Sequence, residues 1–95
     1  MTAFHDQPET RRYAETFLAT DGSQGEVWAD YAGHGKSRAL LHVEADPVLR
    51  GSGAAGTFMS HLADHARAEG LKLTPICGYA VAWFRRHPDQ ADLLA

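Results

Sequence analysis

The sequence of 95 residues contains a single cysteine, no long run of basic residues and no apolar stretch long enough to span a membrane. One cysteine excludes an internal disulfide and a zinc site built on cysteines, as is typical of proteins from a reducing compartment. The first eight residues lack the basic and apolar regions of a signal peptide. We therefore expect a cytoplasmic protein with no membrane partner.

Positive charge is also scarce, because nine Lys and Arg residues face twelve Asp and Glu residues, for a formal net charge of -3. A nucleic-acid-binding surface needs clustered basic residues, so no nucleic-acid partner is expected. The length and the 44% apolar fraction suffice for one small core. We expect a single domain over residues 1–95, present as a monomer or a weak homodimer.

The spacing of apolar residues predicts strands first and helices later. Residues 1–11 are polar, contain Pro8 and show no periodicity, so they are expected to form a loosely ordered arm. Three alternating segments separated by glycine-containing turns predict an antiparallel meander: residues 12–20, 26–32 and 38–45. Ala55, Phe58, Met59, Leu62 and Ala66 then recur on one face of a helix that Gly70 ends.

The last third of the sequence completes the fold. Residues 71–76 predict a buried fourth strand, which the crossover helix would leave parallel to the third. Residues 79–86 predict a second helix, and Pro88 begins a last turn. The predicted class is α/β (α+β), with a twisted, mostly antiparallel sheet of about four strands flanked by helices. The long helix would cover one face of the sheet and the C-terminal helices the other.

Residues 46–56 form a glycine-rich turn before the long helix. Gly51 and Gly53 permit positive φ or close backbone approach, and the first amides of a helix can bind an anion. Arg50 adds a positive charge. Gly51, Gly53 and Gly56 also fit the dinucleotide fingerprint, but the acidic residue required about twenty positions later is missing. A phosphate-binding P-loop fails as well, because no lysine follows Gly56.

Arg50, Gly53 and Ala55 also satisfy [Q/R]-x-x-G-x-[G/A], which is motif A of the GNAT acetyltransferases. With segments 42–44, 66–67, 70–72, 75–79 and 86–88, the chain resembles small GNAT-like proteins of the YidJ type that bind coenzyme A. The resemblance implies a truncated GNAT-like fold, acetyl-coenzyme A as a substrate and an amine as the acceptor. The cofactor-binding residues that it implies are Ala45, Val48, Leu49, Arg50, Gly51, Ser52, Gly53, Ala54 and Ala55.

Three residues are candidates for catalysis. Cys77 matches a family position suspected of handling acyl groups, although a lone cysteine is more often an inert core residue. His42, with side-chain parity opposite to Leu41, could take a proton from an attacking amine or could simply pack, and Glu44 is the alternative base. Phe84 occupies the position of the leaving-group tyrosine in larger relatives. A non-catalytic acyl-coenzyme A binding module, docking on a partner through an open sheet face, is therefore the alternative function.

The remaining polar and aromatic residues have simpler interpretations. His61 and His65 are spaced i, i+4 but lack the glutamate of H-E-x-x-H, so we expect a solvated helix face and no metal. Arg85, Arg86 and His87 could contact a ribose phosphate or cap the second helix. Trp28, Trp83 and Phe84 are expected to lie in the core or to cover the sheet.

Overall fold

The computed structural model describes residues 2–95. These residues form five β-strands, two α-helices and two short 3₁₀ helices. In chain order the elements are β1 (His5–Gln7), β2 (Arg12–Leu18), β3 (Gln24–His34), β4 (Ser37–Ala45), a first 3₁₀ helix (Pro47–Leu49), α1 (Ala54–Glu69), β5 (Lys72–Pro75), α2 (Gly78–Arg86) and a second 3₁₀ helix (Pro88–Leu93).

The strands form one sheet in the order β1-β2-β3-β4-β5. Strands β1 to β4 pair antiparallel through short turns, whereas β4 and β5 pair parallel because α1 carries the chain back along the sheet. The parallel pairing is short and covers only Ser37 to Leu40 of β4. Leu94 adds one further bridge beside β5 at Leu73.

A β-bulge interrupts the pairing of β3 with β4. Asp30 lies opposite His42, and Tyr31 lies opposite Leu40, so Leu41 is an extra residue without a partner. Leu41 and His42 are both exposed. Strict alternation placed these two side chains on opposite faces of the sheet, and that expectation is wrong because the bulge adds one residue to the strand.

Glycines set both ends of α1. Gly53 precedes the helix with φ 81°, and Gly70 follows it with φ 68°. This left-handed region favours glycine, so both ends of the helix are fixed by residues that can adopt it without strain. The amide of Gly70 reaches the carbonyls of Ala66 and Arg67. The predicted cap at Gly70 is confirmed.

One apolar cluster joins the sheet to all the helices. Its buried members include Tyr13, Val27, Ala29 and Leu40 of the sheet, Phe58, Met59 and Leu62 of α1, and Ala80, Trp83 and Phe84 of α2. Because α2 shares this cluster with α1, both helices cover the same face. Arg67 of α1 also forms an ion pair with Asp92 of the second 3₁₀ helix. The prediction that the C-terminal helices lie near the other face is wrong.

The other face of the sheet carries Arg12, Trp28, Asp30, His42 and Glu44, and we call it the open face. Within residues 2–95 no helix packs against it, since the buried side chains of the helices belong to the cluster on the first face. The open face is polar where the covered face is apolar. That difference explains why Trp83 and Phe84 join the cluster beside α1.

The α+β class, the mostly antiparallel sheet and the flanking helices are confirmed. The sheet has five strands rather than four, because His5–Gln7 pairs with β2 where an arm was predicted. Phe4 stacks on Tyr13 and also contacts Phe58, so apolar contact as well as pairing holds this segment. Met1, the first residue of the predicted arm, lies outside the described residues. No helix within residues 2–95 has the length and apolar character needed to cross a membrane.

Candidate functional site

The turn between β4 and α1 has an open surface in front of its glycines. Gly51 and Gly53 have φ values of 76° and 81°. A Cβ atom added at Gly51, Gly53 or Gly56 would meet no other atom within 4 Å. Glycine at positions 51 and 53 is therefore required by the backbone conformation, and the space beside all three residues is free for a ligand.

The amide groups of this turn are partly used and partly free. Three of them donate to acceptors inside the turn, at 3.0 to 3.2 Å: Arg50, Ser52 and Ala54. Four others have no acceptor within residues 2–95: Gly51, Gly53, Ala55 and Gly56. The first amides of a helix have no intrahelical partner, and Gly53 has no side chain with which to cap them. The turn therefore offers a group of hydrogen-bond donors to an external anion.

The turn is anchored to β3 through Asp46, Glu26 and Gly25, to which the sequence analysis assigned no such role. The amide of Asp46 donates to the carbonyl of Glu26 at 2.9 Å, and the Asp46 carboxylate accepts from the Glu26 amide at 2.7 Å. Gly25 lies against the first 3₁₀ helix, where a Cβ would come within 2.8 Å of Leu49 Cγ. A glycine inside a strand often marks such a close approach, and this signal could have revealed Gly25.

The nine predicted cofactor-binding residues do not contribute in the same way. Leu49 is buried, and its carbonyl accepts from both the amide and the hydroxyl of Ser52, so these two residues hold the turn together. Ala54 is buried and Ala55 half-buried at the start of α1. Five others lie on or near the surface around the turn: Ala45, Val48, Arg50, Gly51 and Gly53.

Beside this turn, β4 and β5 separate. Their last pair is Leu40 with Pro75, and the amides of Ile76 and Cys77 both donate to the Leu40 carbonyl, at 3.0 and 3.2 Å. The chain then enters α2, while β4 continues to Ala45 without β5 beside it. The separation leaves a gap next to the N-termini of both α-helices.

Cys77 lies in this gap as the residue that precedes α2, and it is half-buried. Burial raises the pKa of its thiol, but the nearby amides of Ala80, Val43 and Tyr79 together lower the pKa below its usual value. None of these contacts is a regular cap hydrogen bond. The amides nevertheless favour the thiolate, which is the nucleophilic form of cysteine.

His42 and Glu44 form a pair on the open face. Nε2 of His42 lies 2.9 Å from Oε1 of Glu44, and about half of each side chain is exposed. Asp30 and Trp28 of β3 lie opposite them in the sheet. The two residues were alternative candidates for one proton acceptor, and the structure joins them in a single hydrogen-bonded unit.

The expectation of a solvated face at His61 and His65 is wrong. Nδ1 of His61 lies 2.8 and 2.9 Å from the two carboxylate oxygens of Glu15, which is 8% exposed beneath α1. His65 packs against the rings of Phe4 and Tyr13. Glu15 has the same parity in β2 as Tyr13 and Phe17, so a buried carboxylate in need of a partner was readable from the sequence.

The C-terminal candidates also occupy defined positions. His87 stacks on Trp83, and its Nδ1 lies 2.7 Å from the Trp83 carbonyl at the end of α2, so His87 caps that helix. Arg85 and Arg86 are exposed. Phe84 and Trp83 are buried as predicted, and Trp28 lies half-buried on the sheet beneath the Arg12 guanidinium.

A cavity of about 360 Å³ lies at the opposite end of β4, lined by residues that include Gly33, Arg38 and Thr74. It is remote from the turn that begins after Ala45 and contains none of the candidate residues. No group of three or more potential metal-binding side chains occurs within residues 2–95.

Comparison with known proteins gives one family and one fold. Residues 16–93 match the family described as GCN5-related N-acetyl-transferase. The structure is similar to the NMR solution structure of a GCN5-like protein from Staphylococcus aureus, with a TM-score of 0.68 and 15% identity over 98% of this chain and 87% of that one. At this identity the likeness concerns the fold alone. No curated protein matches the sequence.

Proposed function

The chain belongs to the GCN5-related N-acetyltransferase family, and on that premise we propose that it binds acetyl-coenzyme A and transfers the acetyl group to an amine. The family match assigns the chain to the acyltransferases. The YidJ-type subtype stays a prediction, because the match is to the family as a whole. The cofactor, the acceptor and the residues that serve them belong to the proposal.

The single observation that carries the proposal is the group of four free amides at the start of α1. In this proposal the pyrophosphate of coenzyme A accepts from Gly51, Gly53, Ala55 and Gly56, and Arg50 adds a charge-assisted contact. Gly56 extends the predicted set by one residue. The open space beside Gly51 and Gly53 supports this arrangement, because a phosphate could approach the backbone without meeting a side chain.

The acyl group would then lie in the gap between β4 and β5. The thioester supplies an activated carbonyl carbon and a thiolate leaving group. The amine nitrogen attacks this carbon and loses a proton to the His42–Glu44 pair, and the carbon–sulfur bond breaks to give an amide and free coenzyme A. His42 would accept the proton while Glu44 orients the ring, in agreement with the 2.9 Å contact between them.

Cys77 supports a second, separate hypothesis about the same reaction. The lowered pKa of its thiol suits a nucleophile that takes the acetyl group first, releases coenzyme A and then passes the acetyl group to the amine. In the direct route Cys77 would only line the gap. Buried Phe84 has no proton to give to the departing thiolate, which also keeps the non-catalytic binding module as the second candidate function.

Gly53→Asp tests the proposed site against its matched control Gly53→Asn. Asparagine tolerates positive φ better than most residues, so the two variants differ mainly in charge. Like charges about 4 Å apart repel by about 1–4 kcal/mol near a protein surface, so the aspartate should weaken coenzyme A binding by a factor between about five and several hundred. Calorimetry would measure both affinities. Equal affinities for coenzyme A in the two variants would show that the pyrophosphate does not bind at this turn.

A further inference from the structure

The pairing of β3 with β4 ends in an irregular pair, Glu26 opposite Asp46. The register of Val27 with Ala45 brings these two residues opposite each other as the next pair. In a hydrogen-bonded antiparallel pair, each residue donates its amide to the carbonyl of the other. The Asp46 amide does donate to the Glu26 carbonyl, at 2.9 Å, but the Glu26 amide donates to the Asp46 carboxylate, at 2.7 Å. The side chain of Asp46 therefore takes the place of its own carbonyl in the sheet.

This replacement leaves the Asp46 carbonyl free to begin the turn. It accepts from the Leu49 amide at 2.9 Å, which closes the first 3₁₀ helix. An aspartate before a helix usually caps the first amides with its side chain, but the Asp46 carboxylate makes no such bond. Asp46 thus connects two elements at once, because its side chain holds β3 and its carbonyl holds the turn.

Further hydrogen bonds extend this connection to the start of α1. The Leu49 carbonyl accepts from the amide and the hydroxyl of Ser52, at 3.0 and 2.6 Å. The Ser52 hydroxyl in turn accepts from the Ala54 amide at 3.2 Å. Each step from Asp46 onward spans three residues or fewer, so the chain has little freedom between β3 and the free amides of the turn. The contact of Asp46 with Glu26 joins this series of hydrogen bonds to the sheet.

The negative charge of Asp46 does not itself explain why an aspartate stands there. A carboxylate near a bound anion opposes binding, so the charge would not serve the proposed pyrophosphate. What the side chain supplies is a hydrogen-bond acceptor for the Glu26 amide. Asparagine has an oxygen of the same reach without the charge. Alanine has no acceptor and would leave the Glu26 amide without its partner.

We propose that Asp46 is a positioning residue for coenzyme A. By accepting from the Glu26 amide, its side chain holds the turn so that the four free amides at the start of α1 present the spacing that one pyrophosphate requires. In this role Asp46 touches neither the cofactor nor the acceptor. The proposal rests on the proposed acetyl transfer and adds to it a residue that acts on cofactor binding through the turn.

Two variants of Asp46 separate the contact from the charge, with coenzyme A as the ligand in calorimetry. Asp46→Ala should raise the Kd about tenfold or more, because a partly buried amide loses its acceptor. Asp46→Asn should keep the Kd within about threefold of the parent chain, since it retains the acceptor oxygen. Asp21→Ala is the matched control. Asp21 also accepts from a backbone amide, that of Ser23 at 2.9 Å, but in the turn between β2 and β3, so its loss should change the Kd by less than about twofold.

Denaturant titration of each variant distinguishes a displaced turn from a merely weakened fold. A chain that is about nine-tenths folded loses only about a tenth of its apparent affinity through unfolding. A tenfold rise in Kd in such a chain therefore reports on the turn. A rise in the Kd of Asp46→Ala that the unfolded fraction accounts for in full would overturn the proposal.

Hydrogen exchange of the parent chain tests the same contact without a substitution. If the turn and the end of β3 open as one unit, coenzyme A should slow the exchange of the Glu26 amide at least about threefold more than that of the Ser23 amide. This measurement and the asparagine variant still decide the question if Asp46→Ala does not fold. Equal slowing of the two amides would overturn the proposal, as would an Asp46→Asn chain that is folded and binds about tenfold more weakly than the parent chain. Failure of the parent chain to bind coenzyme A would instead refute the proposed function, and this proposal with it.

Discussion

The N-termini of α1 and α2 lie at the same end of the sheet, but their free amides serve different groups. Each helix follows one of the two parallel strands, so both start near the gap between β4 and β5. Four amides at the start of α1 have no acceptor within residues 2–95, and the space beside the glycines there is open. Those of Tyr79 and Ala80 in α2 lie near the sulfur of Cys77 and lower the pKa of its thiol.

This difference shows how one physical property can supply two functions. A helix N-terminus stabilises negative charge in either case. Glycine at position 53 leaves the α1 terminus accessible to an external anion, whereas cysteine at position 77 places an ionisable group of the protein at the α2 terminus. Arg50 precedes α1, and the first turn of α2 contains no basic residue. The first terminus is therefore suited to a phosphate and the second to a thiolate.

Gly25→Ala should have the largest effect on stability and on coenzyme A affinity. It should change the N-terminus of α1 and leave that of α2 unchanged. A Cβ at this position would lie 2.8 Å from Leu49 Cγ, so the Leu49 side chain or the first 3₁₀ helix that carries it must shift. Overpacking of this kind typically costs about 1–3 kcal/mol. We expect the free energy of unfolding to fall by about that amount in denaturant titrations, and coenzyme A affinity to fall with it.

The thiol of Cys77 supplies the control for this variant. Because a Cβ at position 25 would meet Leu49 and Val48 of the segment before α1, the rate at which iodoacetamide alkylates Cys77 should match that of the parent chain. A change in alkylation with unchanged coenzyme A affinity would reverse the roles assigned to the two termini.

Arg50→Gln should have a smaller effect, since Arg50 is exposed and its attraction to phosphate is screened by salt. We expect coenzyme A affinity to fall about fivefold, which corresponds to about 1 kcal/mol. Calorimetry at two salt concentrations should show a weaker salt dependence in the variant than in the parent chain. Arg85→Gln, at the exposed end of α2, is the matched control. An equal loss of coenzyme A affinity in that variant would show that Arg50 makes no specific contact with the phosphate.

Much of the fold was predictable because local rules act on short segments. The alternation in β2 and β3, the helical spacing from Ala55 to Ala66 and the Gly70 cap each depend on residues close in sequence. The fifth strand was not predictable in this way, because His5–Gln7 has no periodicity of its own and is ordered by pairing with β2 and by the contact of Phe4 with α1. The bulge at Leu41 likewise depends on pairing across two strands.

In the candidate site, too, local features were predictable from the sequence and long-range contacts were not. Gly51 and Gly53 indicated a turn with positive φ, and their conformation agrees. Which amides are free depends on the hydroxyl of Ser52 and on carbonyls of the turn, so the sequence could not separate Gly51 from Ser52 as donors. The link between Asp46 and Glu26 spans twenty residues, and the contact of Glu15 with His61 spans forty-six. Contacts at such separations exist only in the folded chain.

The smallest expected effect is a shift in the pH dependence of Cys77 alkylation, and it tests whether the thiol at the α2 terminus is acidic enough to take part in chemistry. The lowered pKa predicts that alkylation by iodoacetamide reaches half its maximal rate at a lower pH in the folded chain than in urea. The same shift has a consequence for stability. Thiolate formation contributes fully at pH values above the unfolded-state pKa, and this contribution disappears as the pH falls through the folded-state pKa.

Cys77→Ser then separates a reactive thiol from a merely acidic one. If the acetyl group passes through the sulfur, the parent chain should gain the mass of one acetyl group when incubated with acetyl-coenzyme A alone, and the variant should lose most turnover because a serine hydroxyl is a much weaker nucleophile at neutral pH. Full turnover in the variant, with no acetylated protein in the parent chain, would leave only the direct route. The amides at α2 would then stabilise a thiolate that lines the gap without reacting, and the two helix termini would differ in chemistry as well as in ligand.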